Sequence, residues 1–493
     1  MTVWHVRQGA NGGGTSPVDA LPSLAAAFAR VEYGDKVIVA GGVYREPLRC
    51  PAGVEWQGAG DGEAIIDGGW NGKVDTENRG GFQVGIGLPE VVLRGLTIRN
   101  TPGQGIHIGA GGHNALIDGC TIHDCFDGAV VVSGEGGRVK GVRLLNTTMY
   151  HISRSWKIEK PPKGVGGCCR WRWAEDVVVR GCHLFAGYGE GIAAGIQTRG
   201  MVIENNVIHD LMHLAIYVNH AVDVIVRGNV IYQTGDPLYA QPDGDVGTGI
   251  NVGDETRGKD DRDEGWQFSE NVLVEGNVVI GTGVLFAVSN GGQMKGSPPV
   301  WDGYDTRIRN LTVRNNTFVA GPRTKIGVTL QANRAPSNAV AGRFEDNVIV
   351  MDGAKDGAPV LVHTAAGIVA VGNFWTIKPA KLSPADFVAA PLLVGPLAVG
   401  GTAEANDFDL AHYRPLADGP LVVDGVAVAG ALEPVVVPPL TTPDPPESPP
   451  VDVAALRARA AAVGVQLATL AQAREAASAE LVALVDMLGE YGQ

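Results

Sequence analysis

Tyr188, Glu190, His209, Asp210 and His213 crowd two successive turns of a repeating stretch, and Asp236 follows one repeat later. Two carboxyl groups about 5–10 Å apart across a glycosidic bond can hydrolyse it. One protonates the leaving oxygen while the other attacks or activates water. Asp210 and Asp236 lie one repeat apart with a lateral offset, and Glu190 reaches toward Asp236 with its longer side chain. His213 shares a column with Asp236, so Asp210, Asp236, Glu190 and His213 are the candidate catalytic residues. Asp127 and Asp236 share that column too, but four repeats separate them by roughly 19 Å, too far for joint action. His-Asp occurs at both 123–124 and 209–210, a repetition that a structural turn also explains.

Binding residues surround this set. Trp156, Lys157 and Lys160 lie in a long turn that begins near Arg154, and Trp171 and Trp173 follow it. Tryptophan stacks on the apolar faces of sugar rings, and Lys or Arg pairs with uronate carboxylates. With Tyr188 and His209 as floor, the candidate substrate contacts are Trp156, Lys157, Arg154, Tyr188, His209, Trp171 and Trp173. Trp171 and Trp173 are two residues apart on one strand and so point the same way, an arrangement that simple packing also accounts for. A lyase would use Lys157, Arg154 or Lys160 as base, with Ca²⁺ neutralising the uronate. Asp243 and Asp245, followed by Asp254, Glu255, Asp260, Asp261, Asp263 and Glu264, supply oxygen ligands of the kind Ca²⁺ takes. The spaced Asp-x-Asp-x-Asp-Gly loop is missing, and a solvated acidic loop is the simpler account.

The elements that position these residues repeat. Met201–Asp210 and Val224–Gln233 each give a short apolar strand, an asparagine, an apolar pair and a polar turn, with Asn206 and Asn229 23 residues apart. Such a period with β-branched runs marks a solenoid, whose units bury their apolar faces only by stacking. From residue 91 one column aligns Leu96, Cys120, Thr147, Cys182, Asn206, Asn229, Asn277, Asn316, Asn347 and Asn373. Stacked amides bond from rung to rung, which gives these asparagines a structural role. Insertions at 153–167 and 235–247 leave the same turn three coils apart, so their bases lie roughly 14 Å apart and wall a groove. Further insertions fall at 254–269 and 289–306.

An N-terminal strand at Val3–Val6 and an amphipathic helix over Leu21–Arg30 cap the stack, since an open solenoid end exposes core and strand edges. The expected organisation is a cap over 1–34, a β-helix over 35–375, a closing region over 376–433, a proline-rich linker over 434–450 and a helix over 451–493. Leu456, Ala460, Val463, Leu467, Leu470, Arg474, Ala477, Leu481, Leu484, Leu488 and Tyr491 alternate by four and three, a heptad seam for a coiled coil. Arg474, Gly464 and the alanines weaken that seam.

Fifty-three acidic against 39 basic residues give a net charge of −14 without a basic tract, which argues against a nucleic-acid partner. The six cysteines (50, 120, 125, 168, 169 and 182) lack metal-type spacing; Cys120 and Cys182 read as inward and reduced. The N-terminus lacks the basic and apolar regions of a secretory signal, and no apolar run is long enough for a membrane span.

The asparagine column, together with Gly34-Asp-Lys-Val-Ile-Val, Gly42-Val-Tyr-Arg-Glu and Ile65-Ile-Asp-Gly, resembles the right-handed parallel β-helix superfamily of pectate lyases and phage tailspikes. The resemblance spans roughly residues 3–430. It implies an all-β parallel solenoid and a polysaccharide-related role. With the heptad helix and no secretory signal, the chain looks more like a trimeric virion tail protein. A homotrimer joined through 451–493, binding a bacterial surface polysaccharide at the virion or outside the cell, is the expectation. Hydrolysis of the glycan, a secreted uronate lyase, and a non-catalytic structural or adhesin protein remain alternatives.

Overall fold

In the computed structural model the chain winds as stacked coils, each giving one short strand to each of three parallel sheets. The structure describes residues 1–73, 81–158, 166–254, 268–290, 307–331, 340–380 and 382–388, with short pieces between 399 and 427. Met1–Pro434 forms one packed unit and Val435–Gln493 a second. The proposed linker and heptad helix lie outside the described residues, as does most of the region expected to close the stack.

The first sheet runs from Val3–Val6 through Lys36–Val39 to Gly367–Val371, the second from Gly42–Tyr44 to Phe387–Val388, and the third from Leu48–Arg49 to Leu361–His363. Strand alternation decides which side chains enter the core: in Ala221–Arg227, Val224 and Val226 are buried while Asp223 is exposed. The register then stacks like on like, with Met201, Val224, Val272 and Leu311 on consecutive rungs of the first sheet. Larger gaps are filled by Trp56, Trp171, Trp375, Phe286, Phe318 and Phe344. All six cysteines are buried and unbridged, and Cys120 and Cys182 lie in the core as their column position implies.

Between the first and second sheets the chain turns in two residues. The leading position holds a left-handed backbone, with φ from +49° at Asn146 to +71° at Gly372; glycine, asparagine and aspartate tolerate it best. The next residue is the aligned column. Asn206 Nδ2 donates to Asn229 Oδ1 at 2.9 Å, Asn229 to Asn277 at 2.9 Å, Asn277 to Asn316 at 2.9 Å and Asn316 to Asn347 at 2.9 Å. Asn347 continues to Asn373, whose own backbone N–H donates to Asp386 Oδ1 at 2.9 Å and so ends the ladder.

An ion-pair row on the first sheet flanks the amides. Glu204, 4 % exposed, takes Arg180 on one side and Arg227 on the other, and Glu275 takes Arg314 at 2.8 Å.

The N-terminal helix is shorter than the sequence pattern suggests, covering only Leu24–Phe28. Leu21 is drawn instead into backbone bonds with His5 and Arg7. Ser23 then caps the helix by accepting from Ala26 N at 3.0 Å, and Glu46 accepts from Leu24 N at 2.6 Å.

Stacked rings run along the outer face of the second sheet: His123 on Tyr150 at 4.6 Å, Tyr150 on Phe185 at 5.2 Å, Phe185 on His209 at 5.1 Å and His209 on Tyr232 at 4.4 Å. A strap from the C-terminal part of this unit extends the row, with Phe408 stacked on Tyr232 at 4.3 Å. Val399 and Tyr413 of the strap are buried against Ile280, Val319 and Val350.

Candidate functional site

The two long turns do rise from the same corner, between the second and third sheets, three coils apart. Their side chains meet over the floor. Lys157 Nζ donates to the Tyr188 hydroxyl at 3.1 Å and sits 4.9 Å from its ring centroid. Tyr239 packs against Tyr188 from the other turn at 5.2 Å, and Tyr188 is 7 % exposed. Burial, reinforced by Tyr188, pushes the Tyr239 hydroxyl far above its ordinary value. The groove expected above Tyr188 is therefore filled by its own walls.

The carboxylates of the expected hydrolytic pair hold backbone together. Asp210 is fully buried at a left-handed corner, φ +49°. Its Oδ1 accepts from Thr234 N at 3.0 Å and Thr234 Oγ1 at 2.8 Å, and its Oδ2 pairs with His209 Nδ1 at 2.9 Å. Asp124 occupies the same corner three coils earlier with His123 at 2.7 Å, so the repeated His-Asp is a turn device. Asp236 caps a short 3-10 turn through Leu238 N at 2.9 Å, and its other oxygen accepts from Ala403 N of the strap at 3.3 Å. His209 lies between two rings with its Nε2 2.9 Å from His183 Nε2, and burial followed by His209 pushes His183 down to about 4.

The remaining candidates divide similarly. Trp171 is wholly buried, because Cys169 and Trp171 take the inward positions of their strand. Trp173 begins the next corner with φ +49°, so the two indoles do not share a face. His213 is half-buried, and burial pushes its imidazole down. Arg154 donates to Asp124 Oδ1 at 2.8 Å and lies 5.3 Å from the Trp70 ring centroid. The Asp245 carboxylate is paired with Lys325, and Asp243 Oδ1 accepts from Asp245 N at 3.1 Å. Two carboxylates committed in this way leave a calcium ion few ligands. The side chain of Trp156, Lys160, and the acidic run from Glu255 to Glu264 lie outside the described residues.

The strap has a titratable clasp. His151 Nε2 lies 3.2 Å from Glu404 Oε1, and its Nδ1 lies 3.5 Å from Asp124. The hydrogen bond to Asp124 raises the His151 pKa against the effect of burial, and Glu404 adds to the rise. Burial would raise Asp124, but His123 and His151 hold it well below the carboxylate range. A group raised on folding stabilises the fold below its unfolded value, about 6.5, and loses that contribution as pH rises through the higher folded value. Glu404→Gln should therefore lower the melting temperature at pH 6, where His151 is charged, and matter little at pH 9. An effect equal at both pH values would refute the clasp.

Among the described residues, a strip of polar and charged side chains lies on the outer face of the third sheet. Register brings Arg49, Gly85, His107, Val131 and Arg170 onto successive coils. Arg49 lies 4.6 Å from the Phe82 ring centroid, and His107 stacks on Phe82 at 5.2 Å. Gln104 Oε1 meets His107 Nδ1 at 2.9 Å, Gln104 Nε2 donates to Asp127 Oδ2 at 3.4 Å, and Arg170 reaches Asp127 at 3.6 Å. Asp127 and Arg170 keep 24 % and 21 % of their side chains exposed, enough for contact with solvent or ligand. Glu190, half-buried, pairs in register with Gly167 beside this strip. Burial, then the Arg170 charge, pushes the His107 pKa down, so the imidazole is neutral at pH 7. In the sequence Asp127 and Glu190 stand out as carboxylates, but nothing there ties them to Arg49 or His107. Outward positions of the third strand of every coil, read as one column, would have exposed the rest.

The profile described as "Right handed beta helix region" matches residues 81–259. With three parallel sheets wound coil upon coil, that match decides the architecture. The chain is a right-handed parallel β-helix. Among solved structures, this β-helix is similar to the surface adhesin PfbA of Streptococcus pneumoniae, with a TM-score of 0.51 and 14% identity over 76% of this chain and 85% of that one. Pectate lyase Pel9A aligns with a TM-score of 0.48 and 13% identity, covering 88% and 94% of the two chains. The polygalacturonase from Erwinia carotovora ssp. carotovora aligns with a TM-score of 0.46 and 13% identity, covering 78% and 96%. Likeness at such identities is likeness of fold. No curated protein matches the sequence.

Proposed function

We propose that this β-helix binds an acidic polysaccharide along the strip from Arg49 to Arg170, as the receptor-binding part of an oligomeric tail-type protein at a virion or outside the cell. The observation that carries the reading is the placement of cations. In a chain of net charge −14, Arg49, Arg170 and half-buried Arg172 share one face of the third sheet beside a neutral His107. Arginine presents a planar fork that matches carboxylate or sulfate groups. From Arg49 to Arg170 is four strand spacings, roughly 19 Å, a length suited to a chain of sugars rather than a single one.

Binding is favoured over hydrolysis. Asp210 and Asp236, the expected hydrolytic pair, are occupied by backbone donors. Titration of the full chain with acidic and neutral bacterial polysaccharides tests the reading. The expected result is binding to the acidic polymers alone, weakening as salt screens the charges. Equal binding of neutral polymers, or of none, contradicts it.

Assembly rests on the heptad seam over 456–491. Sedimentation of the full chain and of residues 1–434 should give an oligomer and a smaller species. An unchanged mass on truncation would refute assembly through this segment.

A further inference from the structure

The strap makes a tight turn where it reaches the corner of the long turns. Gly401 and Asn406 pair as an antiparallel bridge, Thr402 N donates to Ala405 O at 2.7 Å, and Ala405 N donates to the Thr402 hydroxyl at 3.2 Å. Ala403 and Glu404 therefore form the tip. Ala403 is 2 % exposed, its methyl packed among Ala186, Tyr188, Met212 and Tyr239. Its N–H donates to Asp236 Oδ2 at 3.3 Å, and Glu404 Oε1 lies 3.2 Å from His151 Nε2. These ties are slack. The Asp236 bond is longer than the usual N–H···O range, Glu404 keeps 52 % of its side chain in solvent, and the Tyr232 hydroxyl reaches Asn406 Oδ1 only at 3.4 Å. A ligand that makes the same bonds at shorter range displaces such a segment, by binding only the state in which the tip has left.

The tip itself displays the chemistry that the cleft accepts: an amide N–H, the methyl on the neighbouring carbon, and a carboxylate. An N-acetylated acidic sugar carries the same set, because in a trans acetamide the N–H and the methyl lie on one edge. We propose that the tip is a displaceable plug over a binding site for an N-acetylated acidic sugar. Asp236 Oδ2 accepts the amide N–H, since an ionised carboxylate only accepts. The pocket beside Tyr188, which one alanine fills, holds the acetyl methyl. His151 pairs with the sugar carboxylate in place of Glu404. It faces Asp124, Glu404 and the Tyr150 ring, with Arg154 on the far side of Asp124. The hydrogen bond to Asp124, helped by Glu404, raises its pKa against burial, so it carries charge in mildly acidic solution. The site is separate from the strip on the third sheet.

The choice of a sugar over other ligands rests on the glycan-binding reading, and the experiment separates the two. The full chain is titrated at pH 6 with N-acetylneuraminic acid and N-acetylmuramic acid. N-acetylglucosamine, which lacks the carboxylate, and glucuronate, which lacks the amide, are the controls. Alginate, acidic but without acetamides, reports on the strip. At least one N-acetylated acid should bind about tenfold or more tighter than both controls, the worth of one charge-assisted hydrogen bond. Amide hydrogen exchange should quicken at 401–406 on binding, because the tip is pushed out. Glu404→Gln loosens the plug and should raise affinity about fivefold. Asp236→Asn keeps an oxygen for Leu238 N but turns a donor toward the ligand N–H, and should lower affinity at least about tenfold with a native circular dichroism spectrum. No preference over the controls, slower exchange at the tip on binding, or affinity unmoved by both variants overturns the inference, and alginate binding then leaves the strip reading standing. An N-acetylated acid bound as expected without alginate binding overturns the strip reading and keeps the plugged site.

Discussion

Replacing Asn229 with leucine should lower the unfolding free energy by about 4 kcal/mol, a large share of the stability of an ordinary fold. The side chain is fully buried and sits mid-ladder. Its Oδ1 accepts from Asn206 N at 3.0 Å and Asn206 Nδ2 at 2.9 Å, while its Nδ2 donates to Ile203 O at 2.9 Å and to Asn277 Oδ1 at 2.9 Å. Leucine removes all four bonds and strands the Asn206 backbone N–H inside the protein, where such a donor costs about 1–3 kcal/mol. Leu96 occupies the same column at the N-terminal side, where no amide neighbour depends on it. Denaturant unfolding monitored by circular dichroism checks the prediction. A change under 1 kcal/mol, roughly that of one ordinary hydrogen bond, would mean that the ladder does not hold the coils together.

Asp210→Ala should be almost as costly, about 3–5 kcal/mol, because truncating one member of a buried pair leaves its partners uncompensated. Thr234 N, Thr234 Oγ1 and His209 Nδ1 all lose an acceptor, and alanine tolerates the φ of +49° poorly. Asp210→Asn keeps an acceptor for Thr234 and tolerates the corner, so it should cost markedly less. Glycan affinity should survive in both variants. If Asp210 were catalytic, the asparagine variant would instead lose turnover while keeping its melting temperature.

Much of the fold was legible because a solenoid writes its geometry into its period. Asn206 and Asn229 declare the corner, and the apolar pairs after them declare the second sheet. The long turns could be counted onto one edge. The site was harder to read for three physical reasons. Corner residues such as Asp210 look like free carboxylates in a sequence, whereas a left-handed turn folds them onto the next coil. The strap at 399–413 has no period, yet Phe408 supplies the next ring on Tyr232 and covers part of the face where the groove was expected. The outer-face strip gathers one residue per coil, and the unequal coils put Arg49, His107 and Arg170 58 and then 63 positions apart. Trp171 shows the converse: a residue type suited to sugar was placed in the core by the alternation of its own strand.

The most direct test of the central claim is the affinity of an Arg49→Ala/Arg170→Ala double variant for an acidic polysaccharide bound by the native protein. Both residues keep exposed charge on the strip, and each lost charge-assisted hydrogen bond costs about 1.5–3 kcal/mol. Affinity should fall at least about 100-fold while the melting temperature stays within a degree or two. Unchanged affinity in a folded double variant would place the glycan elsewhere on the protein and contradict the account.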